Sequence, residues 1–169
     1  MKSFKQFLSE ARDHDMENEY GELTGNSELA GHGINTLSDF ANRVRKAPVT
    51  YIHPNNYQTL QGGIEHSKIL SQKSEEDRLK AAKDIFTNER RTDSATQQPI
   101  EGSAKSKYFD NLVTSVRSGQ TPPSIVARTP KNNLFKLGGR TRAHIHMALG
   151  LPIPTQQIAI GDKSWSHDW

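Results

Sequence analysis

The sequence predicts a small α/β protein, and three observations predict it. The last third runs strand, turn, strand, glycine pair, helix, strand, with β-branched runs at the strands and glycines and prolines at the breaks. Upstream, four stretches repeat apolar residues at helical spacing, and a short run between two prolines reads as a strand. Finally, 169 residues suit one domain, yet only 33% of them are hydrophobic. A compact part with polar appendages is expected.

The elements follow in chain order. "MKSFKQFLSEAR" sets Phe4, Phe7, Leu8 and Ala11 on one stripe of a short amphipathic helix. Residues 11–35 are acidic and dotted with glycine, and read as a flexible arm. Residues 36–169 are expected to form the domain, and the 48–161 bounds of its core are what a family resemblance of its last third implies. "NTLSDFANRVRKAP" gives a helix through Leu37, Phe40, Ala41 and Val44, with Asn35, Thr36 or Ser38 as N-cap and Pro48 as the stop. "PVTYIHP" is a strand and "NNYQTLQGG" a loop. Ser74 with Asp77 resembles a capping box, opening a helix with Leu79, Ala82, Ile85 and Phe86 inward. "TNERRTDSATQQPIEGSAKS" reads as a loop, then "KYFDNLVTSVRSG" as a helix ending at Gly119. Strands are expected at 124–128, 134–137 and 156–160, and a helix over "RTRAHIHMAL".

Composition excludes several classes. No run approaches the ~18 apolar residues of a membrane span, and the mean hydropathy is −0.78. There is no apolar h-region at the start, so secretion is not expected. Without cysteine there are no disulfides, no thiol catalysis and no cysteine-held metal.

Charge is unevenly spread. Residues 11–40 hold seven acidic residues against Arg12, whereas 41–169 hold 19 Lys and Arg against 11 Asp and Glu. Such a basic body suits a polyanion, nucleic acid or nucleotide, although a solvated basic surface is the plainer reading.

The chemistry concentrates at Gly138–Gly139, where a strand meets a helix. Glycine lets backbone N–H groups approach a ligand, and the first N–H groups of a helix favour an anion. Arg140 or Arg142 could clamp a phosphate there, with a Thr141 hydroxyl beside them and Arg128 as a further positive charge. From spacing alone, a simple strand-to-helix turn with solvated arginines explains the stretch as well. His144 and His146 diverge by roughly 200° on a helix and cannot share a metal as an i,i+4 pair can. One of the two is expected inside and the other outside, and no metal ligand set is expected. Acid or base candidates for phosphodiester chemistry are His53, Glu65 and His66. No paired carboxylates suggest a two-metal centre.

"TPPSIVARTPKNNLFKLGGRTRAHIHMALGLPIPTQQIAI" resembles the second half of the ParB/sulfiredoxin-like domain. That family follows two strands with a glycine-led basic motif, a helix, and an "LG-hydrophobic-P-x-P" exit into the last strand. The spacing from Gly139 to Gly150 matches, and "VTYIHPNNY" is similar to the domain's first strand. The resemblance implies a small mixed sheet with helices, and phosphate held by Gly138, Gly139, Arg140, Thr141 and Arg142. Arg142 stands at the arginine that the family's motif variants keep. Arg140 and Thr141 depart from the Glu or Cys and the Arg or His of better known members, and sulfiredoxin chemistry is excluded for want of a cysteine. The stand-alone, ParB-like nuclease group remains. It implies nucleic-acid or nucleotide binding, with Mg or Mn as cofactor if phosphodiester bonds are cut.

The start resembles another group. "MKSFKQFLSEA" is similar to the capsid-targeting leaders of internal head proteins of T-even-type tailed phages, cut after a Leu/Ile-x-Glu. Leu8-Ser9-Glu10 matches, and Glu10 is the only Glu in the chain with Leu or Ile two residues before it. The resemblance implies a phage protein whose residues 1–10 meet the capsid interior and are removed after Glu10. Its location would be the host cytoplasm or the virion interior. Three functional classes stay open: a nuclease, a non-enzymatic nucleic-acid-binding or packaged virion protein, and a nucleotide-dependent phosphotransferase.

Overall fold

The computed structural model describes residues 34, 36–57, 63–89, 101–128, 132 and 134–159. They form a mixed α/β structure, with five helices and one four-stranded sheet. In order these are α1 (Leu37–Lys46), β1 (Val49–Ile52), a 3-10 turn (Pro54–Asn56), α2 (Gly63–Leu70), α3 (Glu75–Asn88) and α4 (Gly102–Arg117). Then come β2 (Ser124–Arg128), β3 (Leu134–Gly138), α5 (Arg140–Ala148) and β4 (Ile153–Ala159). The leader with Glu10, the arm up to residue 33, and Trp165 and Trp169 lie outside the described residues.

The sheet order is β1-β4-β2-β3. β4 runs antiparallel to β1 and parallel to β2, and β2 is antiparallel to β3. Two cores sit on the two faces. Ile125, Ala127, Leu137 and Ile158 meet Phe40, Ala41 and Val44 of α1. On the other face Val126 and Ile153 meet Ala143, Ile145, Met147 and Ala148 of α5, and Ile69, Phe86 and Phe109 bring α2, α3 and α4 onto that layer. Strand alternation dictates this split, because Ile125 and Val126 must point opposite ways. Ile34, assigned to the arm from sequence, is only 2% exposed and belongs to the α1 core. Burial of its apolar side chain outweighs the polar character of its neighbours.

Local chemistry explains the helix starts. Thr36 accepts the Asp39 N–H while Asp39 accepts the Thr36 N–H, a complete capping box. Ser74 caps α3 through the Asp77 N–H at 3.0 Å. Gly119, at φ +69°, ends the α4 region as expected.

Three expectations are corrected, and one stretch left unassigned from sequence is filled: α2 begins at Gly63, the last residue of the "NNYQTLQGG" loop. Its inward side is only His66 and Ile69, with Ile64 outward at 75% exposure, so no apolar stripe announces it. α4 begins at Gly102, inside the segment expected to be a loop, and its first turns are exposed and polar. Lys105 in that stretch donates to the carbonyls of Thr87 and Glu89, where α3 ends. β4 starts at Ile153, taking in Pro154. Proline fits because β2 pairs only from Thr155 onward, so Pro154 has a neighbour on the β1 side alone. Lastly, His144 and His146 are both buried, at 3% and 7% exposure. α5 is wrapped on all sides by the sheet and by α2, α3 and α4, so opposite faces of the helix are both inside. No described helix is long and apolar enough to cross a membrane.

Candidate phosphate site at the start of α5

The start of α5 is built by β2 and β3. β3 ends at Gly138 beside Ile125, and the pairing skips Leu137 between Val126–Lys136 and Ile125–Gly138. That bulge bends the strand just before the chain enters the helix. Gly139 is the N-cap, at φ +83° and ψ +27°, in the left-handed region that glycine enters without penalty. Its carbonyl accepts the Ala143 N–H at 3.0 Å and the Ser124 hydroxyl at 3.1 Å. A Cβ at position 139 would stand 2.7 Å from Arg142 Nη2 and 2.8 Å from Ser124 Oγ. Glycine is therefore favoured twice, by its backbone angle and by the close Ser124 backbone, whose Cα would stand 3.1 Å from a Cβ. No side chain caps α5, and its N-terminal N–H groups and dipole favour an anion.

The two arginines of the motif part company. Arg140 Nε donates to Glu65 Oε2 at 3.1 Å, and its Nη2 donates to Glu65 Oε1. The same Nη2 lies 2.8 Å from Glu89 Oε1. All three side chains are about three-quarters buried. Arg140 thus joins α5 to α2 and to the end of α3, and its charge is already matched by two carboxylates. Arg142 is half-buried, and its Nη2 lies against Gly139.

A buried polar row lies behind these groups. His144 Nε2 is 3.7 Å from Glu65 Oε2. The His66 ring meets His144 edge-on at 5.7 Å, and Tyr57 is tilted against His66 at 5.6 Å. Tyr57 is 3% exposed, and its hydroxyl has no hydrogen-bond partner among the described residues. Burial pushes the phenol far above its ordinary range, with the nearby Arg142 charge pulling weakly the other way. At every ordinary pH it is a neutral donor. His146 Nδ1 donates to the Arg142 carbonyl at 2.7 Å, fixing that tautomer. Burial holds His146 below the usual histidine pKa, against the opposing effect of that hydrogen bond.

The other expected site residues fall in different places. Thr141 is half-buried in the first turn of α5. Glu65 and His66 do converge on the α5 start, Glu65 as the partner of Arg140 and His66 as a buried ring. His53 is exposed and accepts the Asn55 N–H at 3.2 Å, which commits it to capping the 3-10 turn. Arg128 is exposed at the far end of β2, where it donates to Gln157 and Asn132. It stands four residue steps along the strand from Ser124, roughly 13 Å, so it does not join the turn. Among the described residues no three His, Asp or Glu side chains form a group that could hold a metal ion.

Sequence reasoning missed Tyr57, Ser124 and Glu89. Only long-range folding brings them here, since each comes from a different element. The one local hint was that the 3-10 turn and the start of β2 both adjoin prolines, at Pro54 and Pro123. An open groove of about 430 Å³ between α2 and α3 adjoins the ion cluster, lined by Glu65, Lys68, Asp84 and Glu89 among others.

Compared with protein-family models, with curated proteins and with solved structures, the chain matches none.

Proposed function

We propose that this protein binds a phosphate-rich ligand, nucleic acid or nucleotide, at the Gly138–Gly139 turn, in the manner of a ParB/sulfiredoxin-like domain. The observation that carries the reading is the Arg142 guanidinium laid across a left-handed Gly139 at an uncapped helix start. A cation, a helix dipole and N–H groups there favour the same charge. The basic excess of residues 41–169 would hold the rest of a polyanion. Arg140 supports the site from behind, holding Glu65 and Glu89 away from the anion.

The test is a thermal-shift and filter-binding series with DNA, RNA and nucleotides. The reading expects binding whose log affinity falls with log salt, and a loss of about tenfold or more for Arg142→Ala. If no phosphate ligand binds or raises the melting temperature, the reading is wrong. Incubating the same substrates with Mg²⁺ or Mn²⁺ separates a nuclease, which shortens them, from a binding module, which leaves them whole. A phosphotransferase would instead need a nucleotide and a second acceptor.

The N-terminal "MKSFKQFLSEA" supports a phage protein delivered to the virion interior. Mass spectrometry of virions should then find a chain beginning at Ala11, and an intact Met1 form would refute delivery by this route.

A further inference from the structure

We infer that the N-terminal leader, residues 1–11, docks on the sheet of its own chain, on the Val49 and Tyr51 side chains that lie bare beside α1. The inference is independent of the phosphate reading, because α5 packs on the other side of the sheet.

Strand alternation defines the surface. Ile52 packs with the core on the α5 side and is paired with Ile153 of that core. Val49 and Tyr51 stand an odd number of residues from Ile52, so both point to the α1 side. There the core takes buried residues from β2, β3 and β4 and, among the described residues, none from β1. Val49 is 45% exposed and Tyr51 is 71% exposed. They share one face of an edge strand that carries no charge and is paired with β4 alone. One helix about 10 Å across cannot cover four strands spaced ~4.8 Å apart. α1 lies against β4, which leaves the β1 side of that layer open to a second helix.

Three observations choose the occupant. Phe4, Phe7, Leu8 and Ala11 form the apolar stripe of a helix too short to stand alone in water, so it needs a surface. Ile34 is buried in the α1 core, so the residues before it depart from this same side of the sheet. Residues 12–33 reach roughly 70 Å when extended, several times the sheet's width of roughly 14 Å. Charge then guides the path. Residues 12–33 hold six acidic residues against Arg12, and the last turn of α1, which runs into β1, carries Arg43, Arg45 and Lys46. Tethering raises the effective concentration of the leader, so a small apolar surface holds it where a free partner would bind weakly. A leader so held must leave the sheet before it can meet a capsid.

The experiment uses the full-length chain, which has no cysteine, so Ser3→Cys takes a single spin label. In NMR spectra the amides of residues 49–52 and 154–156 should broaden, recover when the label is reduced, and show no dependence on protein concentration. Phe7→Ser and Tyr51→Ser should each abolish the broadening and lower the melting temperature by about 2–4 °C, the scale of one modest apolar contact in a chain of this length. Combined, they should lower it no further than either alone. Ile64→Ser, at the 75% exposed position on α2, should leave the broadening unchanged. Absence of broadening at β1 would overturn the inference. Broadening that grows with concentration would also overturn it, by assigning the face to a second copy. Fully additive losses for Phe7→Ser and Tyr51→Ser would do the same, since side chains that meet are coupled.

Discussion

Arg140, in the first turn of α5, holds Glu65 of α2 by two hydrogen bonds across 75 residues of sequence, and the same guanidinium reaches Glu89. This contact makes one motif arginine structural and leaves Arg142 at the turn. It also gives the first prediction. Arg140→Ala strips the cation from two carboxylates that are about three-quarters buried. A fully buried pair would lose about 3–5 kcal/mol; with partial exposure about 2 kcal/mol is expected. Glu89→Gln in that background should recover part of the loss. Urea unfolding of the double-mutant cycle checks this, and strict additivity of the two changes would contradict it.

Gly139→Ala should cost more than Gly150→Ala. Both positions have positive φ, +83° and +67°, but a Cβ at 150 meets nothing within 4 Å, whereas one at 139 meets Arg142 and Ser124. Backbone strain alone is worth about 1 kcal/mol, and the crowding at 139 should raise the loss to about 2–3 kcal/mol. Equal unfolding midpoints for the two variants would disprove the crowding of position 139 by Ser124.

His146 sets a pH dependence. Its pKa in the folded protein lies below the ordinary 6.5, because burial penalises the charged ring. The unfolded chain therefore binds its proton first as pH falls, and this contribution to stability is complete above about pH 6.5 and declines below it. The melting temperature should drop from about pH 7.5 to about pH 5.5, and His146→Gln should flatten that slope. An unchanged slope in the variant would assign the acid sensitivity to other groups.

Thr36→Ala removes the side-chain half of the α1 capping box, whose bonds are 3.1 Å each way. The expected loss is about 1 kcal/mol. Phosphate binding should be unchanged, because α1 packs on the opposite face of the sheet from α5. A fall in affinity at constant stability would mean that α1 takes part in the site.

Much of this architecture could be read from the chain. The capped starts of α1 and α3, the Gly119 stop and the strand–turn–strand–helix–strand order are local signals, written in propensities and spacings of a few residues. Gly138–Gly139 was legible as a turn for the same reason. What the sequence hid has no local signature. α2 turns inward through one histidine and one isoleucine, and β4 accepts Pro154 only because β2 pairs one residue later. The burial of both His144 and His146 follows from helices packed on several sides of α5.

The division has a physical cause. Helix caps, glycine conformations and hydrophobic alternation are decided by neighbours within about four residues, and so the sequence by itself determined the elements and the place of the turn. That Arg140 pairs with carboxylates depends on residues 51 and 75 positions away, Glu89 and Glu65. The burial of Tyr57, just after the 3-10 turn, against His66 of α2 is likewise a contact between separate elements. Charge pairing and burial act through space, and only the tertiary structure could assign Arg140 to the ion cluster and Arg142 to the turn.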